Sequence, residues 1–418
     1  RVQEACDAVY WRRILRGSEH FSWKKLGAFG AELTALAAFF DRPWDQQPSR
    51  DLSPADQAWI LSAAGFVLRA LGRLGEAVGP MRAGLALRIA QEKWGNAARI
   101  ASNLSELLLT LGQVAEAVAA GEESVVLADR SEEWDRRMIN RSTLADALHG
   151  AGRREESAAL FRAAEGMQAE QQTEYPRLYS LRGYQYCDLL LGQAEPGDGA
   201  GLAGVLVSDI AASGVGAHGR APHGSTADRG PAGNGGRVHG RAPLREQDTA
   251  RYRAACEEVR GRAEQALEIV LRGSRNLLDI ALNHLSLGRA HLGLALTAPE
   301  APDFAPAAEH LDRAVEGLRE AGDEEFVGRG LLARAAFHRL TGNLAAAAVD
   351  LGEALEIAER GSMRLHQADA HLEWTRLHLQ QDDPATARTH LDRAHELVTA
   401  CGYGRREREV RWLAGRFE

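Results

Sequence analysis

His291, His338 and His378 recur at one position of the sequence pattern, three residues past Gly288, Ala335 and Thr375. A histidine column is a natural place to look for a metal or a general base, but a metal needs three or four ligands around one point. Copies in neighbouring structural units stand about 10 Å apart, the spacing of packed helices, which is too far to share an ion. The column therefore reads as histidine packed between helices. His366, His371 and His378 lie on one helical stretch without a second ligand cluster, and His218, His223 and His239 have no cysteine partners. Cys6, Cys187, Cys256 and Cys401 are far apart and form no CxxC pair, which fits reduced thiols in the cytosol better than a disulfide framework. No HExxH, GxSxG or GxxxxGK[ST] pattern occurs, and none of the three lysines, Lys24, Lys25 and Lys93, follows a glycine. The expectation is a protein that is not an enzyme and carries neither metal nor cofactor.

The elements that position these residues follow a 40-residue beat. Leu71-Gly72-Arg73-Leu74 with Ala77 recurs as Leu111-Gly112-Gln113-Val114 with Ala117. Ala151-Gly152-Arg153-Arg154 with Ser157 and then Leu191-Gly192 continue it. Gly342-Asn343-Leu344 with Ala347, and Asp382-Asp383-Pro384 with Ala387, resume it. Each mark lies between two apolar segments of helical period, so each is a tight turn inside a helical hairpin, and a sustained beat of this length means a stacked array.

Eight hairpins and a cap are expected. The first pairs 5–16 with 26–40 around Ser22-Trp23, and a proline-bearing linker follows in which Asp51 or Ser53 caps the next helix. Three hairpins turn at Gly72, Gly112 and Gly152; a further unit pairs 175–191 with 252–271. Then come 277–296 with 307–320, 327–340 with 344–359, and 366–380 with 385–399, before a capping helix at 406–417. Residues 1–194 form the N-terminal part of the array and 249–418 its C-terminal part. Between them, 195–248 is rich in Gly, Ala, Pro and His, and His218-Gly-Arg-Ala-Pro222 is repeated as His239-Gly-Arg-Ala-Pro243. Such a composition cannot bury enough surface to offset its ordering entropy, so this insert is expected to be disordered.

A net charge of −8 argues against a general nucleic-acid binder. The absence of any apolar run of 18 residues argues against a membrane span, and no signal peptide is recognisable, so a cytoplasmic location is expected. The chain begins at Arg1, and we expect it to be part of a longer polypeptide.

These marks resemble the tetratricopeptide repeat. Gly65 and Gly288 stand where its first-helix glycine belongs, Gly72, Gly112, Gly152, Gly192 and Gly342 at its turn, and Ala77, Ala117, Ala307, Ala347 and Ala387 at its first alanine. The second-alanine position holds Gly84, Ser124, Ala164, Ala314, Ala354 and Ala394. The long helices, with LGAFGAELTALAAFF and NLSELLLTLGQ, look like the C-terminal arrays of bacterial STAND (NACHT-type) signalling ATPases. The resemblance implies an all-α, right-handed α-solenoid whose first helices line a concave wall. In that register the wall carries Trp59, Arg69, Arg99, Asn103, Glu106, Asp146, Tyr179, Arg182 and Tyr186, then Arg289, Arg329, Arg339 and Arg376. Arginine and tyrosine dominate binding hot spots. The implied function is a protein- or peptide-binding sensor, read by an ATPase module upstream in the same polypeptide. Two alternatives stand beside it. One is a stand-alone scaffold. The other is a small-molecule sensor resembling maltose-regulon-type activators, with Trp59, Tyr179 and Tyr186 as stacking groups.

Overall fold

The computed structural model describes residues 1–24, 26–44, 47–194, 246–273, 275–299 and 301–418. Its helices pair in series into the expected all-α solenoid. Helix α1 (Val2–Glu4) runs on as a π-helical stretch, Ala5–Ile14, and with α2 (Phe21–Lys24) and α3 (Phe29–Ala37) makes the first hairpin. The next hairpins are α4 (Pro54–Ala70) with α5 (Leu74–Ala90), α6 (Trp94–Thr110) with α7 (Val114–Ser131), and α8 (Trp134–Gly150) with α9 (Arg154–Gln171). Helix α10 (Ser180–Ala194) pairs with α11 (Glu246–Arg272), and α12 (Leu277–Leu296) with α13 (Ala305–Ala321). The last two hairpins are α14 (Glu324–Leu340) with α15 (Leu344–Arg360) and α16 (Arg364–Gln380) with α17 (Pro384–Cys401). Helix α18 (Gly404–Ala414) caps the array.

The turn marks do the work their chemistry allows. Gly112 and Gly342 sit at φ of 78° and 85°, the left-handed conformation that ends a helix without a Cβ clash. The last hairpin turns through Asp382 at φ 58°, a residue type that tolerates this region. Five residues past the turn a small residue lets the two helices approach closely: Ala77, Ala117, Ala347 and Ala387 are fully buried. After Gly152 the place is taken by Ser157, also buried, whose hydroxyl donates to the Ala145 carbonyl at 2.7 Å. Ser53 caps α4 by accepting from the Asp56 amide at 3.2 Å, and Asn276, Asn343 and Asp383 cap their helices in the same way.

Three expectations need correction. The helix expected at 26–40 starts only at Phe29, because Gly27 takes φ 59° and leaves Leu26 63% exposed. Gly192 does not turn the chain; it lies inside α10 with its α-carbon against the His149 ring. Helix α11 begins at Glu246 and so takes the last three residues assigned to the insert. The rest of that insert, 195–245, with His218, His223 and His239, lies outside the described residues.

The superhelix is wound tightly enough for its turns to touch. At Gly112, a Cβ would stand 2.6 Å from Cys401 Sγ and 2.8 Å from Arg364 Cβ. At Gly152 it would meet the Gly404 carbonyl carbon at 2.8 Å, and at Gly72 the Glu324 carboxylate at 3.0 Å. These three turns therefore rest on the unit five places further on: α4/α5 on α14, α6/α7 on α16 and α17, and α8/α9 on α18. Among the described residues no helix is long and apolar enough to cross a membrane.

Candidate ligand site at the superhelix axis

Tight winding brings the first helices of successive hairpins together around one axis. Residues of α6, α8, α10, α12, α14, α16 and α18, with Tyr252 of α11, line a cavity of about 260 Å³. The wall mixes leucine and alanine side chains with charged ones, and the charges are arranged in linked clusters.

One cluster is centred on Glu106, which Arg182 reaches at 2.6 Å and Arg69 at 3.0 Å. Burial alone would raise this carboxyl, but the two guanidiniums hold it down at about 2. Arg69 also reaches Glu325 at 3.2 Å, and Thr110 donates to Glu325 at 2.9 Å. A second cluster surrounds Asp188, met by Arg289 at 2.7 Å and by both terminal nitrogens of Arg405 at 2.5 and 3.1 Å. A third joins Glu373 to Arg339 at 2.6 Å and to Arg376 at 2.7 Å. Arg376 continues to Glu409, which Arg406 also holds at 2.9 Å, and Arg406 reaches Asp369 at 2.7 Å. Opposing burial, Arg339 and Arg376 keep the Glu373 carboxyl at about 2.

Asp146 is different. Its only hydrogen bond in the described structure comes from Gln185 at 3.2 Å, and burial lifts its carboxyl to about 6 despite Arg329. His149 and His366 are pushed the other way. Burial first, then Arg405 for His149 and Arg329 for His366, lowers both rings, His366 to about 4, so both are neutral at pH 7.

The residues assigned to the wall from sequence divide sharply. Asp146, Arg289, Arg329, Arg339 and Arg376 line the axial cavity; Arg69 and Glu106 line a small space beside it, and Arg182 bonds to Glu106. Arg99 and Asn103 lie on the same stripe of α6 but at least about one helical turn, several ångströms, before Glu106, and do not line the cavity. Trp59 is instead covered by the N-terminal segment, its ring 4.5 Å from Trp11 and 5.4 Å from Tyr10. Tyr179 precedes α10 and donates to Gln172 at 3.4 Å. Tyr186 is 6% exposed, stacked on Phe161 at 4.9 Å beneath the Arg262 guanidinium. The reason is register: on α10 the cavity-facing stripe runs Leu181, Tyr184, Asp188, Leu191, and Tyr186 points to the second-helix side.

Sequence reasoning missed the acids and the cap. Glu325, Asp188, Glu373 and Glu409 pair with arginines that were identified, and the cap adds Arg405 on Asp188 and Arg406 on Glu409 and Asp369. One signal was present: Glu106, Asp146 and Asp188 put an acid on three successive first helices at nearly the repeat spacing.

The histidine column stands away from the axis, between the helices of single hairpins. His291 stacks on His310, His378 on His390, and His338 lies 3.9 Å from Asp350. Among the described residues, Cys6, Asp7 and Asp56 bring three ligand-type atoms together. Burial lifts the Cys6 thiol to about 12, and Asp56 already accepts from Gln3 and Ser53, so the group is ill suited to a cation.

No family model matches the chain, and no curated protein matches it significantly. Among solved structures, the Rap conjugation gene regulator of the plasmid pLS20, in complex with the Phr* peptide, is similar over 96% of this chain and 94% of its own. The TM-score is 0.50 and the identity 11%, which supports a tetratricopeptide-type fold. Yeast Tom70 (TM-score 0.25, 13% identity, 83% of this chain and 77% of that one) adds nothing to this assignment. Nor does Ton1535 from Thermococcus onnurineus NA1, at TM-score 0.26 and 13% identity over 89% of this chain and 96% of that one.

Proposed function

We propose that this chain is a non-catalytic binding and sensing module that takes a short peptide or protein segment at the axis of its superhelix. One observation carries the reading: a cavity ringed by first helices from across the array, walled in part by charged side chains and touching both superhelical turns. A ligand there contacts α6 and α8 of one turn and α14, α16 and α18 of the next, so it biases how the turns pack. The Rap regulator, of like fold, carries a peptide, which supports a peptide ligand here. The long-helix likeness to STAND arrays supports a sensor role inside a larger signalling protein, with an ATPase module reading the change in packing. The small-molecule alternative loses its stacking groups, since Trp59, Tyr179 and Tyr186 all lie off the cavity.

The test is a thermal-shift screen of short peptides against the wild type and Ala336→Trp, a substitution that fills the cavity from α14. Peptides that stabilise the wild type should lose their effect on the variant. Peptides that stabilise both equally, or a library that stabilises neither, would overturn the reading.

A further inference from the structure

The carboxylates on the cavity wall are largely satisfied, whereas several donors are not. Six arginines line it (Arg289, Arg329, Arg339, Arg376, Arg405 and Arg406) against four carboxylates. Asp188, Glu373 and Asp369 each accept from two partners already, Asp369 from Arg406 and Tyr403. On the donor side, Arg339 is 2% exposed, yet its Nη2 has no hydrogen-bond partner among the described residues. The same holds for Nδ1 of His366, 5% exposed, which carries the proton because Nε2 accepts from Arg329. It holds too for His149, 1% exposed, whose neutral ring has one unpaired N–H and one unpaired acceptor nitrogen. Arg329 spends its Nε on His366 Nε2 at 3.2 Å, donates to the Tyr184 hydroxyl, and has Glu325 3.5 Å from its Nη2. Buried donors without acceptors are costly, and a ligand that supplies acceptors there gains what the protein alone forgoes.

We infer that the axial cavity takes an anionic group, a carboxylate or a phosphate, held by Arg329 and by the unpaired Nη2 of Arg339 beside His366 and His149. The inference rests on the reading of the cavity as the ligand site and narrows it to acidic ligands. Guanidinium suits such a group because its planar fork offers two parallel donors. A cation finds no comparable welcome, because three of the four wall carboxylates are already ion-paired. Asp146 is the one wall carboxylate with no arginine within hydrogen-bond distance among the described residues, so its charge opposes an anion uncompensated.

The test is calorimetric titration of the full chain with inorganic phosphate, with succinate and with the neutral succinamide. Phosphate or succinate should bind, and succinamide should bind at least about tenfold more weakly than succinate, the worth of a charge-assisted hydrogen bond. Which of the two anions binds names the group. Arg339→Gln should weaken the anion by about tenfold or more, while Glu373 keeps Arg376. Asp146→Asn should tighten it. Opposite signs from two substitutions on one cavity cannot come from general structural damage, and Asp146→Asn decides alone if Arg339→Gln does not fold. Equal binding of succinate and succinamide, no binding of either anion, or weakening by Asp146→Asn would overturn the inference. A peptide that stabilises the wild type but not Ala336→Trp, with neither anion binding, would leave the cavity reading standing and remove only the anionic class. Undiminished anion binding by Ala336→Trp would remove both.

Discussion

The guanidinium of Arg69, on the second hairpin, lies 3.2 Å from the carboxylate of Glu325, on the seventh, although 256 residues separate them. Thr110 of the third hairpin donates to the same carboxylate. Glu325 is thus shared by three hairpins and two superhelical turns. Removing one member of a buried pair strands the other, so Glu325→Ala should cost about 3 kcal/mol in denaturant unfolding and enlarge the radius of gyration in solution scattering. Glu353 is a built-in control: it pairs with Arg319 at 2.6 Å where both are about half exposed, and Glu353→Ala should cost less than about 1 kcal/mol. Equal effects would mean that the turn-to-turn contact contributes nothing.

Asp146 should oppose folding at neutral pH. Burial raises its folded carboxyl to about 6 from 3.8, so its contribution to stability is full below 3.8 and is lost as pH rises through 6. Asp146→Asn removes that loss. The variant should match the wild type near pH 4 and exceed it at pH 7–8 by at most about 3 kcal/mol, two pH units of linkage. Glu106 and Glu373 have the opposite sign: held at about 2, they stabilise above 4.5 and lose that contribution as pH falls toward 2. A pH-independent difference between Asp146→Asn and wild type would contradict the assignment.

Two turn glycines separate backbone strain from packing. Gly342 has φ 85° and open space around it, so Gly342→Ala should cost only the left-handed strain, about 1 kcal/mol. Gly112 has φ 78° and also faces Cys401 and Arg364 of the next superhelical turn, so Gly112→Ala should cost clearly more in the same measurement. Equal costs would mean the two turns can part without penalty.

All four cysteines are buried, and burial lifts the Cys6 and Cys187 thiols to about 12. A disulfide reagent such as DTNB should label the native chain only slowly at pH 8 and all four sites at once in denaturant. Rapid labelling of the native protein would show local opening of the helices that hold them.

The hairpins were legible in sequence because their causes are local. Gly72, Gly112, Gly152 and Gly342 each take the left-handed conformation that ends a helix, and the small residue five places later is buried. Gly192 carries the same letters but stands inside α10, so the motif alone did not decide its role. The site was half legible for a related reason. Which face of a first helix points inward follows from the repeat, and that found Arg69, Glu106, Asp146 and four cavity arginines. Which acid neutralises each arginine depends on the superhelical pitch, and no local pattern encodes the pairing of Arg69 with Glu325 or Arg405 with Asp188. Tyr186 was misplaced because the inward stripe of α10 falls on Tyr184 and Asp188 instead.

The contact of the second, third and fourth hairpin turns with the unit five places on has a consequence for how the chain comes apart. A linear stack of repeats has only nearest-neighbour interfaces, so it frays from its ends and melts in stages. Here the Gly152 turn cannot be seated until Gly404 arrives, and Arg69 waits for Glu325. Loss of the cap or of the last hairpin removes support from the third and fourth. The array should therefore unfold as one cooperative body, fold slowly for its helix content because its decisive contacts span the chain, and tolerate removal of terminal repeats badly.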